Sequence, residues 1–224
     1  MYTSYHTRPK VDRLTALDVL RQGRKRIFLL NEEAFGYLEN VALSKAAQAV
    51  LPKWQSDKVW EEAAFMKRLE KALPNLNTQQ HTAILGAAAV AAYHAEKDVP
   101  IVDTLVCDDA SVFHWLTRAM MLCWVHDGRA YKKLEPVIAL HRQQLADFRK
   151  RYWDYYHQLL AYREKPTAEE CKRLESEFDI LFETKTGYDD LDQRIAKTRT
   201  KKISLLQVLQ HPELPLHNNR SEEH

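Results

Sequence analysis

The sequence predicts a mainly α protein with a small sheet, of α+β or α/β class. Residues 101–107 form a short apolar run, with Ile101, Val102, Leu105 and Val106, that stops on two adjacent carboxylates, Asp108 and Asp109. A run of that length bounded by polar residues reads as a buried strand. Residues 83–95 are dense in alanine, the strongest helix former. Further on, Leu145, Phe148, Tyr152, Tyr155, Leu159 and Tyr162 recur at steps of three and four, the spacing of one helix face.

In chain order, residues 2–7 alternate polar and aromatic side chains and suggest a strand. Residues 15–22 read as a short helix with Ala16, Val19 and Leu20 on one face and Gly23 as its C-cap, followed by the basic loop Arg24, Lys25, Arg26. Residues 31–74 read as mainly helical. Asn31 caps a helix carrying Ala34, Phe35 and Leu38, and Trp60, Ala64, Met66 and Leu69 follow at roughly helical spacing before Pro74. Trp54 and Trp60 read as core residues rather than a base-stacking platform. Asn77 to Gln80 is a capping signal for the alanine-rich helix, whose small residues suit tight packing against a sheet. His81 and His94 on it read as ordinary surface or core histidines.

A turn at 98–100 leads into the strand, and a helix is expected between the acid pair and a second apolar patch at 120–125. After Pro136 comes the long amphipathic helix, with Arg142, Arg149, Lys150 and Arg163 opposite its aromatic face. Pro166 ends it, Thr167 with Glu170 forms a capping box, and a second helix buries Cys171, Leu174, Phe178 and Leu181. The two form an antiparallel hairpin. Gly187 breaks the chain. A final helix over 189–210 carries Arg194, Lys197, Arg199, Lys201 and Lys202, and Pro212 and Pro215 bracket an extended stretch leading to Asn218, Asn219 and Glu222.

The 224 residues suffice for one large domain or two small ones, and an apolar content of 45% supplies a sizeable core. A net charge of +2 does not announce a nucleic-acid partner, so any such reading rests on local clusters. The three cysteines, 107, 123 and 171, are widely spaced and point to a reducing cytoplasm rather than a disulfide framework. No signal-peptide pattern and no membrane-length apolar run stands out. Five glycines without a glycine-rich loop argue against a P-loop or dinucleotide fingerprint.

The chemistry concentrates near the middle of the chain. Carboxylates at the C-terminal end of a strand sit where open α/β sheets place their active sites; the bland alternative for Asp108 and Asp109 is a helix N-cap for Ala110 onward. The second patch closes with Cys123, Trp124, His126 and Arg129. Cys123 and His126 are spaced like half a zinc site, with no second pair nearby. The cluster from Arg194 to Lys202 is the best phosphate-binding candidate, or else a solvated face with Asp190 and Asp192 beside it.

Asp108 with Phe113 five residues on, then Cys123-Trp124-x-His126, then His217-Asn218-Asn219-x-x-Glu222 resembles the catalytic core of bacterial insertion-sequence transposases of the DDE type, which have an RNase H-like fold. The resemblance implies a partial RNase H-like core at 1–30, a helical insertion at 31–76, core again with the second catalytic Asp at 77–136, a helical hairpin at 137–188, and a basic helix with the start of the third-acid motif at 189–224. It makes Asp108 and Glu222 catalytic metal ligands, with Asp109 replacing Asp108 if the register is off by one. It implies Mg²⁺ or Mn²⁺, two ions in the intact family and at most one here, because the first acid would lie on a strand upstream of Tyr2. It implies DNA at transposon ends as partner, contacted by His126, Arg129, Arg194, Lys197, Arg199, Lys201 and Lys202, a homo-oligomer, no membrane, and a bacterial, nucleoid-associated location. The chain then reads as an internal fragment, inactive alone. Arg220-Ser221-Glu222-Glu223-His224 also matches what a common sequencing-library adapter encodes in one frame, which leaves two origins open for Glu222. The alternatives are a non-catalytic DNA-binding or oligomerisation module built on the hairpin and basic helix, and a helical metal-binding protein using Cys123 and His126.

Overall fold

The computed structural model describes residues 12–97 and 100–218. The strand expected at 2–7, most of the turn at 98–100, and both Asn219 and Glu222 lie outside them. The architecture is mainly helical with two small sheets. The chain divides into two compact units. One runs to Asp103 and takes in Ser111–Arg118; the other holds Thr104–Ala110 and the chain from Ala119 onward.

In the first unit, α1 (Arg13–Leu20) opens on Asp12, whose side chain accepts the Thr15 N–H at 2.8 Å. It closes on Arg21, and Gln22 (φ 56°) and Gly23 (φ 78°) both take left-handed conformations to turn the chain. The strand β1 (Ile27–Phe28) follows, then α2 (Glu32–Leu38), capped by the Asn31 side chain, whose Oδ1 accepts the Ala34 N–H. Next come α3 (Lys45–Val50), capped by Ser44, and a 3-10 turn at Leu51–Trp54. The strand β2 (Trp60–Glu61) pairs antiparallel with β1, and α4 (Glu62–Ala72) begins only after it. Trp60 is therefore strand, where a helical spacing was expected. Nor are Trp54 and Trp60 core residues: both are half-buried. The buried face of α4 is Phe65 and Leu69, one turn apart, with Phe65 stacked on Phe28 at 4.8 Å, and the two indoles are covered instead by Arg68.

The alanine-rich helix α5 (Thr78–His94) starts where Asn77 accepts the Gln80 N–H at 2.9 Å, and it is buried continuously from Ile84 to His94. Small side chains let neighbours come close: the Leu29 N–H after β1 donates to the Ala88 carbonyl at 2.9 Å. His94 is a satisfied core histidine, 2.5 Å from Glu33 Oε1 through Nδ1 and 3.1 Å from the Leu116 carbonyl through Nε2. Arg13 secures the same 111–118 segment, donating to the carbonyls of Ser111 and His114 at 2.7 and 3.1 Å.

In the second unit, β3 (Thr104–Cys107) pairs parallel with β4 (Ala119–Leu122), Cys107 opposite Leu122. The expected strand is thus present in its C-terminal half, while residues 101–103 stay outside the ladder. The helix expected between the acids and Cys123 is only a 3-10 turn at Ser111–Phe113. Asp108 accounts for the difference. Its Oδ1 accepts the Ala110 N–H at 3.1 Å, an Asx turn that competes with helix initiation.

Then come α6 (Trp124–Lys132), α7 (Ala139–Glu164) and α8 (Ala168–Phe182). The last two form the antiparallel hairpin, joined by the Tyr155 hydroxyl on the Leu174 carbonyl at 2.7 Å. The single helix expected over 189–210 is broken into α9 (Asp189–Arg199), α10 (Lys202–Leu205) and α11 (Gln207–Gln210). Lys201 (φ −97°, ψ 9°) and Leu206 (φ −95°, ψ 12°) leave helical geometry. Leu205, Leu206, Val208 and Leu209 are all buried beyond these breaks.

Candidate active site

The site forms where β3 and β4 end. Cys107 closes β3, and Asp108 and Asp109 follow directly. Cys123 follows β4, and its N–H donates to the Cys107 carbonyl at 2.8 Å, carrying the ladder one step past the strands. Cys123 then caps α6, its Sγ accepting the His126 N–H at 3.4 Å. Trp124 is wholly buried among Tyr152, Tyr155, Phe178 and Phe182. Its backbone N–H donates to the Leu216 carbonyl and its indole N–H to the Leu205 carbonyl, both at 2.9 Å. Leu216 and His217 are buried and Asn218 is exposed. Three stretches far apart in sequence therefore meet: the acid-bearing strand, the Cys-Trp-x-His turn, and the segment entering His217-Asn218.

Burial, aided by the Asp108 and Asp109 carboxylates, pushes the Cys107 thiol up to about 12, so at neutral pH it stays protonated. Among the described residues no three His, Cys, Asp or Glu side chains converge as a metal site. Cys123 and His126 meet only through the cap, and His126 is exposed on α6, as is Arg129.

The polar centre of this unit is a residue that sequence reasoning missed. Asp127, 5% exposed, forms an ion pair with Arg194 through Oδ1 and accepts the Thr198 hydroxyl at 2.8 Å and the Tyr152 hydroxyl at 3.4 Å through Oδ2. Tyr131 and Thr198 share a hydroxyl contact of 2.7 Å. Burial first, then the Asp127 carboxylate, raises both the Tyr131 and the Tyr152 hydroxyl pKa. Lys201 Nζ lies 2.7 Å from Asp109 Oδ2 and 3.6 Å from Asp127 Oδ1, a bridge between a strand-end carboxylate and a buried one. A signal existed. Asp127 stands three residues after Trp124 and four before Tyr131, on the apolar stripe of α6, where an unpaired charge is not tolerated.

That carboxylate redirects the expected basic cluster. Arg194 and Lys201 face Asp127; Lys202 pairs with Asp179 at 2.8 Å and Glu175 at 3.8 Å; Arg199 pairs with Glu183. Lys197 is exposed on α9. The basic cluster is therefore divided: Arg194 and Lys201 compensate the buried Asp127 carboxylate, while Arg199 and Lys202 pair with the more exposed Glu183 and Asp179. Glu222 lies outside the described residues.

The chain is similar to an uncharacterized protein, y4jO, of Sinorhizobium fredii (strain NBRC 101917 / NGR234), with 28% identity over 221 residues, covering 99% of this chain and 68% of that protein. No family model matches the chain, and no solved structure matches it.

Proposed function

We propose that this chain carries part of the catalytic domain of a DDE-type DNA transposase, with an incomplete RNase H-like core and Asp108 as an acid of the metal site. One observation carries the reading. The Cys123-Trp124 turn is bonded through its backbone to the residues just before Asp108 and just before His217, Cys123 N–H to Cys107 O at 2.8 Å and Trp124 N–H to Leu216 O at 2.9 Å. Chance matches scattered over a chain have no reason to meet in this way. The parallel pairing of β3 and β4, with acids at its C-terminal end, supports the same reading.

The donor chemistry fits in part. Asp108 supplies hard carboxylate oxygen, which suits Mg²⁺ or Mn²⁺, and Asp109 is engaged by Lys201, which favours Asp108 over its neighbour as the ligand. Glu222 would complete the set from outside the described residues. Such an ion, when bound, activates the attacking oxygen and stabilises the leaving one. The chain's own residues then have separable roles: Trp124 locks the turn, Asp127 and Lys201 fix Asp109, and His126, Arg129 and Lys197 present exposed donors to DNA phosphate. DNA as partner, self-association of the intact protein and a nucleoid location belong to the same proposal. The rival reading, a non-catalytic DNA-binding module on the basic helix, is weakened because Arg194, Arg199, Lys201 and Lys202 already face carboxylates.

The test is Mn²⁺ binding to the purified chain, followed by the loss of the free-ion signal in electron paramagnetic resonance. Weak binding that Asp108→Ala removes is expected. No binding by the parent, or equal binding by the variant, rejects Asp108 as a ligand.

A further inference from the structure

We propose that Arg68, held against Trp54 and Trp60 in the first unit, is a second contact point for DNA, taking a backbone phosphate. It rests on the reading above only for the identity of the ligand. The Arg68 Cζ lies over both indoles, 4.3 Å from the Trp54 ring centre and 4.7 Å from that of Trp60, and Lys58 Nζ lies over Trp60 at 4.2 Å. Two cations thus share one indole. The other arginines described in this unit meet protein acceptors: Arg13 two carbonyls, Arg21 and Arg24 Glu96, Arg26 Asp18 and Glu62, and Arg118 Asp103. Arg68 has neither an ion pair nor a hydrogen bond among the described residues, and its nitrogens are not sealed from solvent.

The chemistry follows from that contrast. Indole faces hold a guanidinium plane by cation–π attraction and leave its edge N–H groups untouched. Those edges form a rigid fork that matches a phosphate in bidentate fashion. Cations already lie over both indoles, which leaves less ring surface for a nucleobase, so the site suits backbone better than base. Lys71 lies three residues on along α4, on the same side of the helix, and Lys53 immediately precedes Trp54, which extends the positive edge. Alternation along β2 directs Glu61 away from the face that carries Trp60. Binding of this kind is indifferent to sequence and steeply dependent on salt.

The experiment is fluorescence anisotropy of the full chain with a short labelled duplex and, separately, its single strand, across a salt series. Arg68→Met is expected to weaken binding on the order of tenfold, the usual effect of losing hydrogen bonds to a charged group, and to lower the log–log salt slope by about 0.9. Arg68→Lys, which keeps the charge without the fork, should fall between. If Arg68→Met does not melt as a folded protein, phenylglyoxal modification of the parent replaces it, with DNA expected to protect Arg68. Parent binding with an unchanged Arg68→Met, or equal modification with and without DNA, overturns this site and leaves the reading of Asp108 standing. Displacement of DNA by inorganic phosphate beyond a salt-matched control would make free phosphate the ligand and overturn the assignment to a strand. A parent that binds neither DNA form overturns the site and removes DNA from the reading above, while Mn²⁺ binding at Asp108 is decided by its own measurement.

Discussion

Gly128 shows how closely α6 and α7 approach. A Cβ there would sit 2.9 Å from Trp153 Cζ2 and 3.0 Å from Tyr152 Cε1. Tyr152 cannot give way easily, because its hydroxyl is fixed on the Trp124 carbonyl at 2.8 Å. Gly128→Ala should therefore destabilise by about 1–3 kcal/mol through overpacking, although alanine is the better helix former by about 1 kcal/mol. A urea melt measures the balance, and a stabilised variant would show that the helices separate freely. One residue earlier, Asp127→Ala leaves Arg194 without its carboxylate in a partly buried site. The expected loss is about 3–5 kcal/mol, with Thr198→Val much milder. Both residues stood in plain view in the sequence. Gly128 is an interior helix glycine, which usually has a packing reason. The place of Asp127 on the apolar stripe of α6 was readable, but its partners Arg194 and Thr198 lie 67 and 71 residues away, beyond any local pattern.

At the level of elements, local signals succeeded where a segment's own periodicity determined its structure. The hairpin of α7 and α8 is the clearest case: its aromatic face is the one the spacing marks, and Phe148 is 2% exposed. Phe148→Ala should cost about 3–5 kcal/mol, and a loss under about 1 kcal/mol would remove it from the core. Local signals failed where tertiary pairing decides. The strands β1 and β2 are two residues each, too short for any alternation to register. Lys201 breaks the last helix where it reaches Asp109 and Asp127, partners that periodicity cannot see. The turn at Gly187 (φ 81°) has its own lock. Asp192 accepts the Thr186 N–H and hydroxyl, both at 2.8 Å, and the Gly187 N–H at 3.3 Å. Burial alone would raise its pKa, but these donors, with Lys185, outweigh it and hold the carboxyl below its ordinary value. A depressed carboxylate contributes stability above its unfolded pKa, about 3.9, and loses it as pH falls through the lower folded value. The melting difference between the parent and Asp192→Ala should thus be full at neutral pH and shrink below about pH 4. A difference constant across that range would assign the turn's stability to something other than the ionised carboxylate.

For the whole molecule, the central question is whether the carboxylates gathered at the ends of β3 and β4 suffice for phosphodiester chemistry. Two ions about 3.5–4 Å apart need several converging hard ligands. Asp108 is one. Asp109 is held by Lys201, and Asp127 by Arg194, Thr198, Tyr152 and Lys201, so neither is poised to join it. No group of three such side chains converges among the described residues. The division into two units, with residues 111–118 belonging to the first while β3 and β4 belong to the second, was also beyond the sequence, because no composition shift marks either crossing. The order of the three stretches was legible, and the backbone bonds from Cys123 and Trp124 to Cys107 and Leu216 were not. The expected outcome is that the purified chain leaves a labelled DNA duplex uncut in Mn²⁺, and that Asp108→Ala behaves identically. Lys201→Ala is the informative companion. It removes a positive charge that lies 2.7 Å from Asp109 and opposes cation entry, so it should tighten Mn²⁺ binding without creating a cut. Cleavage by the parent that Asp108→Ala abolishes would mean that Asp109 already completes the site and that the Lys201 bridge opens in solution.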